Sequence, residues 1–365
     1  MAARVRSAWP AGVALAVAAA FAVWRLAGLG WDPAALAEPG TRYARLDPQG
    51  SEGYDGQFAL YIARDPHPAR VAPHLDVPAY RYQRILYPLL ARALALGQSQ
   101  AVPWALLAVN LAAHALGTWA VAALLAGRGL PRGYALAYGL WAGLVGGVGL
   151  HLNEPLAYGL AAGGWLALDR RRPLVAGALL GLSLLAKETT VAFWAAAAVT
   201  AVLDRRAGRL RIALGGGGVA FAAWQGWLWW RFGAPGLGSG GAMATPFEVI
   251  PYLGFLRIGT ASLGALALFA LLFGPSIVLP SLWGLLTAAG RLRRHLPDRE
   301  AWALGLNALA IALLPFSTFR EPLGLIRFAS GLVLGVLVYA SAHGPRRALN
   351  YTLFWSVFLI MLIPR

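Results

Sequence analysis

Apolar runs of about 18 or more residues recur from end to end of this chain of 365 residues, and such runs read as membrane spans. About 20 helical residues at 1.5 Å each cross a hydrocarbon core of about 30 Å, and no soluble core needs that many runs. The chain is 59% hydrophobic and only 13% charged, where soluble domains carry roughly a quarter charged residues. Its 15 Trp and 12 Tyr suit two membrane interfaces, where amphipathic rings settle. Cys is absent, which excludes disulfides, thiol nucleophiles and Cys-ligated metals. A net charge of +16 on a soluble chain would suggest nucleic acid. On this one it marks cytoplasmic loops facing anionic lipid, so no nucleic-acid partner is expected. The expectation is an all-α polytopic membrane protein with 1–365 as a single transmembrane domain. No internal repeat is evident, and no soluble domain is expected at either end.

The basic clusters give the spans a direction. Arg4 and Arg6, Arg128 with Arg132, Arg170–Arg172, Arg205–Arg211, Arg291–Arg294 and Arg346-Arg347 all belong on the cytoplasmic side. About 11 spans then close consistently, at roughly 8–29, 101–126, 133–150, 155–168, 173–187, 190–203, 211–231, 260–288, 301–316, 323–341 and 348–363. The first run reads as a retained helix, because the weak Ala35-Leu36-Ala37 cleavage pattern lies too far from it. The N-terminus is expected in the cytoplasm of a plasma (inner) membrane. The stretch 173–203 as one helix would reach about 46 Å, beyond a membrane core, so it splits at Lys187-Glu188-Thr189. The stretch 133–168 splits likewise at Asn153-Glu154-Pro155, where Pro suits a first helical turn. The cytoplasmic face then holds net +13 and the outer face +3, with 11 of the 15 acids outside. That concentration of acids directs the search for chemistry to the outer face.

Two outer loops are long: 31–100, with short interfacial helices expected, and the Gly-rich 232–259, either a lid or a plain linker. The apolar stretch 84–98, interrupted by Arg92, reads as interfacial or re-entrant. Gly215–Gly218 reads as close helix packing, and the Trp224–Trp230 group as an interfacial belt. Phe58, Tyr61 and Ile62 at i, i+3 and i+4 suggest an amphipathic helix along the bilayer surface, with Asp55 at its N-terminal end. Asp55 is then either a helix cap or a general base held at the membrane boundary. Arg81 and Arg84, one turn apart, either grip one anionic group such as phosphate or snorkel. His151, Asn153 and Glu154 occupy one tight outer turn, and Lys187 and Glu188 another. Ionisable residues there are costly unless paired or functional; Lys187 with Glu154 or Glu188 is the structural alternative. Arg320 and Arg327 add cations near Glu321. A bridge from Arg327 to Glu321 is poorly spaced on one helix face. The His residues are scattered and the acids lack metal-ligand spacing, so no metal or other cofactor is expected.

These motifs resemble those of the GT-C superfamily of membrane glycosyltransferases. Tyr54-Asp55-Gly56-Gln57-Phe58 with Tyr61-Ile62-Ala63 is similar to the Asp-Gly element in the first outer loop of the GPI-mannosyltransferase-like branch. Arg81-Tyr82-Gln83-Arg84-Ile85-Leu86-Tyr87-Pro88, Asn153-Glu154-Pro155 and Ala186-Lys187-Glu188-Thr189 resemble blocks in bacterial proteins of cell-surface glycopolymer formation. The resemblance covers most of the transmembrane chain, though its motifs are short. It implies transfer of a sugar, mannose or another hexose or pentose, from a polyprenyl-phosphate carrier to a glycan or lipid acceptor on the outer, periplasmic face. Asp55 would act as base and the sugar carbon would invert. Arg81, Arg84, Glu154, Lys187, Glu188, Arg320 and Arg327 would bind substrate or phosphate. Tyr54, Gln57, Asn153 and His151 would support them. The family's paired-acid version of the motif is not clean here: Asp47 and Glu52 are near Asp55 but neither adjoins it.

Two other readings compete. A transporter or lipid flippase for an anionic or polyprenyl-linked substrate wants ionisable groups near the midplane, and Arg327 is the feature that favours it. A non-catalytic scaffold would leave Asp55 dispensable. The orientation is directly testable because the chain carries no native Cys. Arg293→Cys is expected to resist a membrane-impermeant maleimide in intact cells and Gly238→Cys to react. Labelling of both from one side would overturn the assigned direction.

Overall fold

The computed structural model describes residues 8–204, 206–344 and 346–363; the basic residues Arg4, Arg6 and Arg205 invoked for orientation lie outside them. The described chain is helical, and its only β-type pairing is an isolated bridge between Pro39 and Gly53. Four helical stretches are long and apolar enough to cross a membrane: Trp9–Gly28, Val102–Gly127, Leu263–Leu292 and Pro322–His343. The third carries a π-helical turn at Gly274–Val278, and the fourth is interrupted at Ala329. The other apolar helices are shorter, among them α1 (Pro173–Ala186) and α2 (Val191–Leu203).

Both expected hairpin breaks are present. Lys187 adopts an extended backbone (φ −161°, ψ 126°) that stops α1, and a single 3-10 turn over Glu188–Thr190 leads into α2. The helix Ala142–Gly149 ends before His151, whose φ of 53° turns the chain, and α3 (Glu154–Asp169) starts with Pro in its first turn. These breaks bring two polar turns to the same end of the bundle. Below them lies an apolar core that includes the fully buried rings of Trp141, Trp165 and Phe193.

Small residues set the closest approaches. A Cβ on Gly217, in α4 (Gly208–Phe232), would lie 2.8 Å from Gly181 Cα, and one on Gly218 would strike the Trp194 ring at 2.7 Å. That half of the glycine run packs helices, as expected, while Gly215 and Gly216 face open space. The Trp group divides too. Trp229 and Trp230 are exposed, but Trp224 and Trp227 stack at 4.6 Å, and the Trp224 indole N–H donates to the Tyr82 carbonyl. Two of the four therefore anchor the long loop 31–100 instead of forming a belt.

That loop is more embedded than its amphipathic pattern suggests. The helix Gly56–Arg64 forms, but seven of its nine residues are buried, so its apolar stripe packs against protein. It packs against Leu86–Leu94, a nine-residue helix of about 14 Å that is too short to span. Gly56 permits this seating. A Cβ there would stand 2.0 Å from the Leu150 carbonyl oxygen, which belongs to rigid backbone at the turn before α3. Gly56→Ala is therefore expected to lower stability by about 1–3 kcal/mol through overpacking. Gly216→Ala, in open space within a helix, is expected to be neutral or to add about 0.5–1 kcal/mol. Thermal unfolding in detergent reads both; equal effects would contradict the packing argument.

Candidate functional site

The loop helix Gly56–Arg64, the turn before α3, the turn after α1 and the segment Phe316–Phe328 meet around a cavity of about 590 Å³. Nine of the residues anticipated from sequence line it: Tyr54, Asp55, Gln57, Arg81, Arg84, Glu154, Lys187, Arg320 and Arg327. Segments separated by up to 273 positions in the chain thus share one polar space, as a single site requires.

Its framework is a ladder of alternating charge. Asp76 accepts from Arg81 through two bonds, Nε at 2.7 Å and Nη2 at 2.8 Å. Arg81 Nη1 reaches Asp55 Oδ1 at 2.9 Å, and Asp55 Oδ2 meets Arg327 Nη1 at 2.8 Å. Arg327 Nε continues to Glu154 Oε1 at 2.8 Å, where Lys187 Nζ also donates at 2.9 Å. Three carboxylates and three cations balance in sequence. Their burial is sustainable only because each has an opposite neighbour on the ladder. Tyr54 closes one side: its hydroxyl receives from Arg327 at 2.9 Å and donates to Glu321 at 3.1 Å. The Phe58 ring lies under the Arg81 guanidinium, 4.1 Å from its carbon to the ring centre.

Several expectations need correction. Asp55 stands at the N-terminus of its helix, yet its side chain accepts no bond from that helix; the two guanidiniums outcompete the free N–H groups. Arg81 and Arg84 line the same cavity but pair with different carboxylates. Arg81 serves Asp55 and Asp76, whereas Arg84 forks onto Glu188 at 2.6 and 2.8 Å and donates to the Tyr80 hydroxyl. Glu188 is thereby the counter-charge of Arg84 and does not line the main cavity. Lys187 takes Glu154, the structural pairing anticipated, and Arg327 takes Asp55 and Glu154 in place of Glu321.

His151 lies outside the cavity. Its Nε2–H donates to the Pro33 carbonyl at 2.9 Å, and burial pushes its pKa down to about 4, so it is a neutral brace for the loop. Asn153 borders a small void that Asp55, Arg81 and Arg84 also line. Gln57 lines the cavity but spends its amide on the loop, accepting from Gly40 N–H and donating to the Glu52 carbonyl. The Gly-rich loop reaches the site: Ala242 N–H donates to Asp76 at 3.1 Å, and Ala242 to Ala244 line the cavity. It is a wall of the site and no plain linker.

The electrostatics follow from the ladder. Burial raises the Asp55 carboxyl, but Arg81 and Arg327 outweigh it and hold the group well below the usual carboxylate range. Asp76 is likewise depressed, its burial offset by the Arg81 fork. Cationic donors remain on the cavity wall. Arg320 has no carboxylate partner among the described residues, and Arg327 Nη2 and Arg84 Nη1 make no hydrogen bond there. The wall therefore offers unused guanidinium edges to an anion beside a clamped carboxylate.

Asp76 and Tyr80 were missed by sequence reasoning. The available signal was arithmetic: two buried arginines at 81 and 84 demand acids, and Asp76 is the nearest one upstream. Among the described residues no group of three or more His, Asp or Glu is placed to hold a metal ion. Comparison with known proteins finds no matching family model and no significant match among curated proteins or solved structures.

Removing the central rung tests the ladder. Arg327→Gln leaves Asp55 and Glu154 without their shared cation, and the loss is expected to be about 3–5 kcal/mol. Combining it with Asp55→Asn is expected to recover part of that loss, measured by denaturation in detergent. Strict additivity of the two substitutions would show that the groups are not coupled.

Proposed function

We propose that this chain is a membrane glycosyltransferase of the GT-C type with about 11 spans, in which the outer-face cavity transfers a sugar from a polyprenyl-phosphate carrier to a glycan or lipid acceptor. The observation that carries the reading is the carboxylate of Asp55 held between Arg81 and Arg327 on the wall of a cavity that also presents unpaired guanidinium edges. The site would face the periplasmic side of the plasma membrane, with the N-terminus in the cytoplasm.

The chemistry requires two things of the protein. The bond between the sugar carbon and the phosphate oxygen breaks, and the charge that collects on the departing polyprenyl phosphate needs cations. Arg320, Arg327 and Arg84 supply donors for it. The acceptor hydroxyl attacks the opposite face of that carbon, inverting it, and yields its proton to Asp55. A carboxylate clamped by two arginines is a poor base at rest. An anionic phosphate entering beside Arg81 and Arg327 draws on the same cations and raises the proton affinity of Asp55 when the donor is in place. Base strength is thereby tied to donor occupancy.

The competing reading, a transporter or flippase for an anionic or polyprenyl-linked substrate, is favoured by Arg327, which sits buried in an interrupted apolar helix. The partners of Arg327 argue against midplane transport, because both carboxylates belong to polar turns at one end of the bundle.

Asp55→Asn is expected to reduce sugar transfer from labelled polyprenyl-phosphate sugars by about 10²–10⁴-fold without loss of folding. Full transfer by a folded variant would remove Asp55 as base. Movement of an unaltered carrier across vesicles by wild type, without transfer, would favour the flippase. The pH profile adds a signed test. With its pKa depressed, Asp55 stays ionised through the ordinary carboxylate range, so kcat/KM of wild type shows no acid limb from it near pH 4. Arg81→Gln removes one cation, and the limb is expected to move upward.

A further inference from the structure

Glu154 uses only half of its carboxylate. It is fully buried, and Oε1 receives both Lys187 Nζ and Arg327 Nε. Oε2 is buried with no hydrogen-bond partner among the described residues, and the residue lines the cavity. A buried charged acceptor left unmade is costly, so the cavity's occupant is expected to bring a donor to it.

The neighbours decide what kind of donor. Lys187 and Arg327 already balance this carboxylate, and Arg84 lines the same cavity. A further cation would meet three positive groups at close range. A neutral N–H or O–H meets no such opposition, and among ligands that also carry an anionic group for Arg320, a polyol supplies O–H. We infer that Glu154 Oε2 forms a hydroxyl-recognition subsite, where one sugar hydroxyl of the donor acts as hydrogen-bond donor. The inference rests on the sugar-transfer reading and deepens it. Asp55 acts on the acceptor's proton, while Glu154 fixes which sugar, and which face of it, enters. Glu154 is then a specificity-determining residue with no proton to transfer.

A site built to bond a hydroxyl rejects an analogue lacking it far more strongly than an apolar pocket does. The experiment uses full-length protein in detergent and undecaprenyl phosphates carrying mannose, galactose, glucose or arabinose. The tightest binder is compared with its monodeoxy and monofluoro forms. One position is expected to lose about 10–100-fold affinity in both forms, because fluorine accepts but cannot donate. In Glu154→Gln/Lys187→Met, which removes one anion and one cation together, that discrimination is expected to fall below about threefold. A merely structural role for Glu154 would weaken all analogues alike and leave the pattern intact.

If every monofluoro form binds wild type like its parent, no hydroxyl donates and the inference is overturned while sugar transfer stands. If the double variant folds and discriminates as wild type does, Glu154 is not the acceptor. If that variant fails to fold, Glu154→Gln alone carries the same comparison, and unchanged discrimination there overturns Glu154 as the acceptor. If none of the four carriers binds, the sugar-transfer reading falls and takes this subsite with it.

Discussion

The run of charges from Asp76 through Arg81, Asp55, Arg327 and Glu154 to Lys187 is the interaction on which the rest of this end of the molecule depends. A bundle this apolar has little reason to gather ionisable groups where water thins out. Each would be expensive alone, and removing one partner of such a pair costs more than the pair contributes. Linked in alternation, they tolerate burial. The linkage also fixes geometry: Arg327 cannot satisfy Asp55 and Glu154 together unless the long loop 31–100, the turn before α3 and the segment Pro322–Phe328 are all docked. The ladder is a folding constraint before it is a candidate catalytic arrangement.

The apolar framework exists to bring those segments together. Lys187 breaks one hairpin and His151 another, so that two polar turns arrive at one end of the bundle. Gly56 lets the loop helix rest against the Leu150 carbonyl, which sets Asp55 beside the turn that carries Glu154. Trp224 and Trp227 hold the next stretch of the loop through Tyr82. The pair Asp55-Gly56 therefore has a physical logic: the acid is positioned by what the glycine lacks.

Much of this was legible in the sequence. Run length located the helical stretches, although 133–150 and 348–363 are built of shorter pieces and only four stretches among the described residues reach membrane length; Pro155 and the run of charges at 187–188 marked the breaks, and the excess of acids on one assigned face pointed to the residues that line the cavity. What the sequence could not give was partnership. Arg81 and Arg84 lie a turn apart, yet the carboxylates they pair with come from Asp55, Asp76 and Glu188, and the last is 104 positions from Arg84. The helix Gly56–Arg64 has the apolar stripe of a surface helix, because a stripe does not say whether it faces lipid or protein. His151 looked functional by its company and proved to be a brace, since a single backbone carbonyl at Pro33 captures it. Local patterns set where a side chain begins; long-range contacts set what it meets.

The same ladder poses the main chemical problem of the site. Two arginines make Asp55 easy to bury and hard to protonate, so the feature that stabilises the fold opposes the role of base proposed for it. The conflict resolves only if the cations are shared with something that arrives. Arg320 and the free edges of Arg327 and Arg84 provide a place for an anion to arrive, within the cavity that Asp55 lines. An anion there weakens the hold on Asp55 without breaking the ladder, since Arg81 keeps Asp76 and Arg327 keeps Glu154. A neutral ligand does neither. The arrangement thus favours an anionic ligand, and on the proposed reading it would keep Asp55 a weak base whenever that ligand is absent.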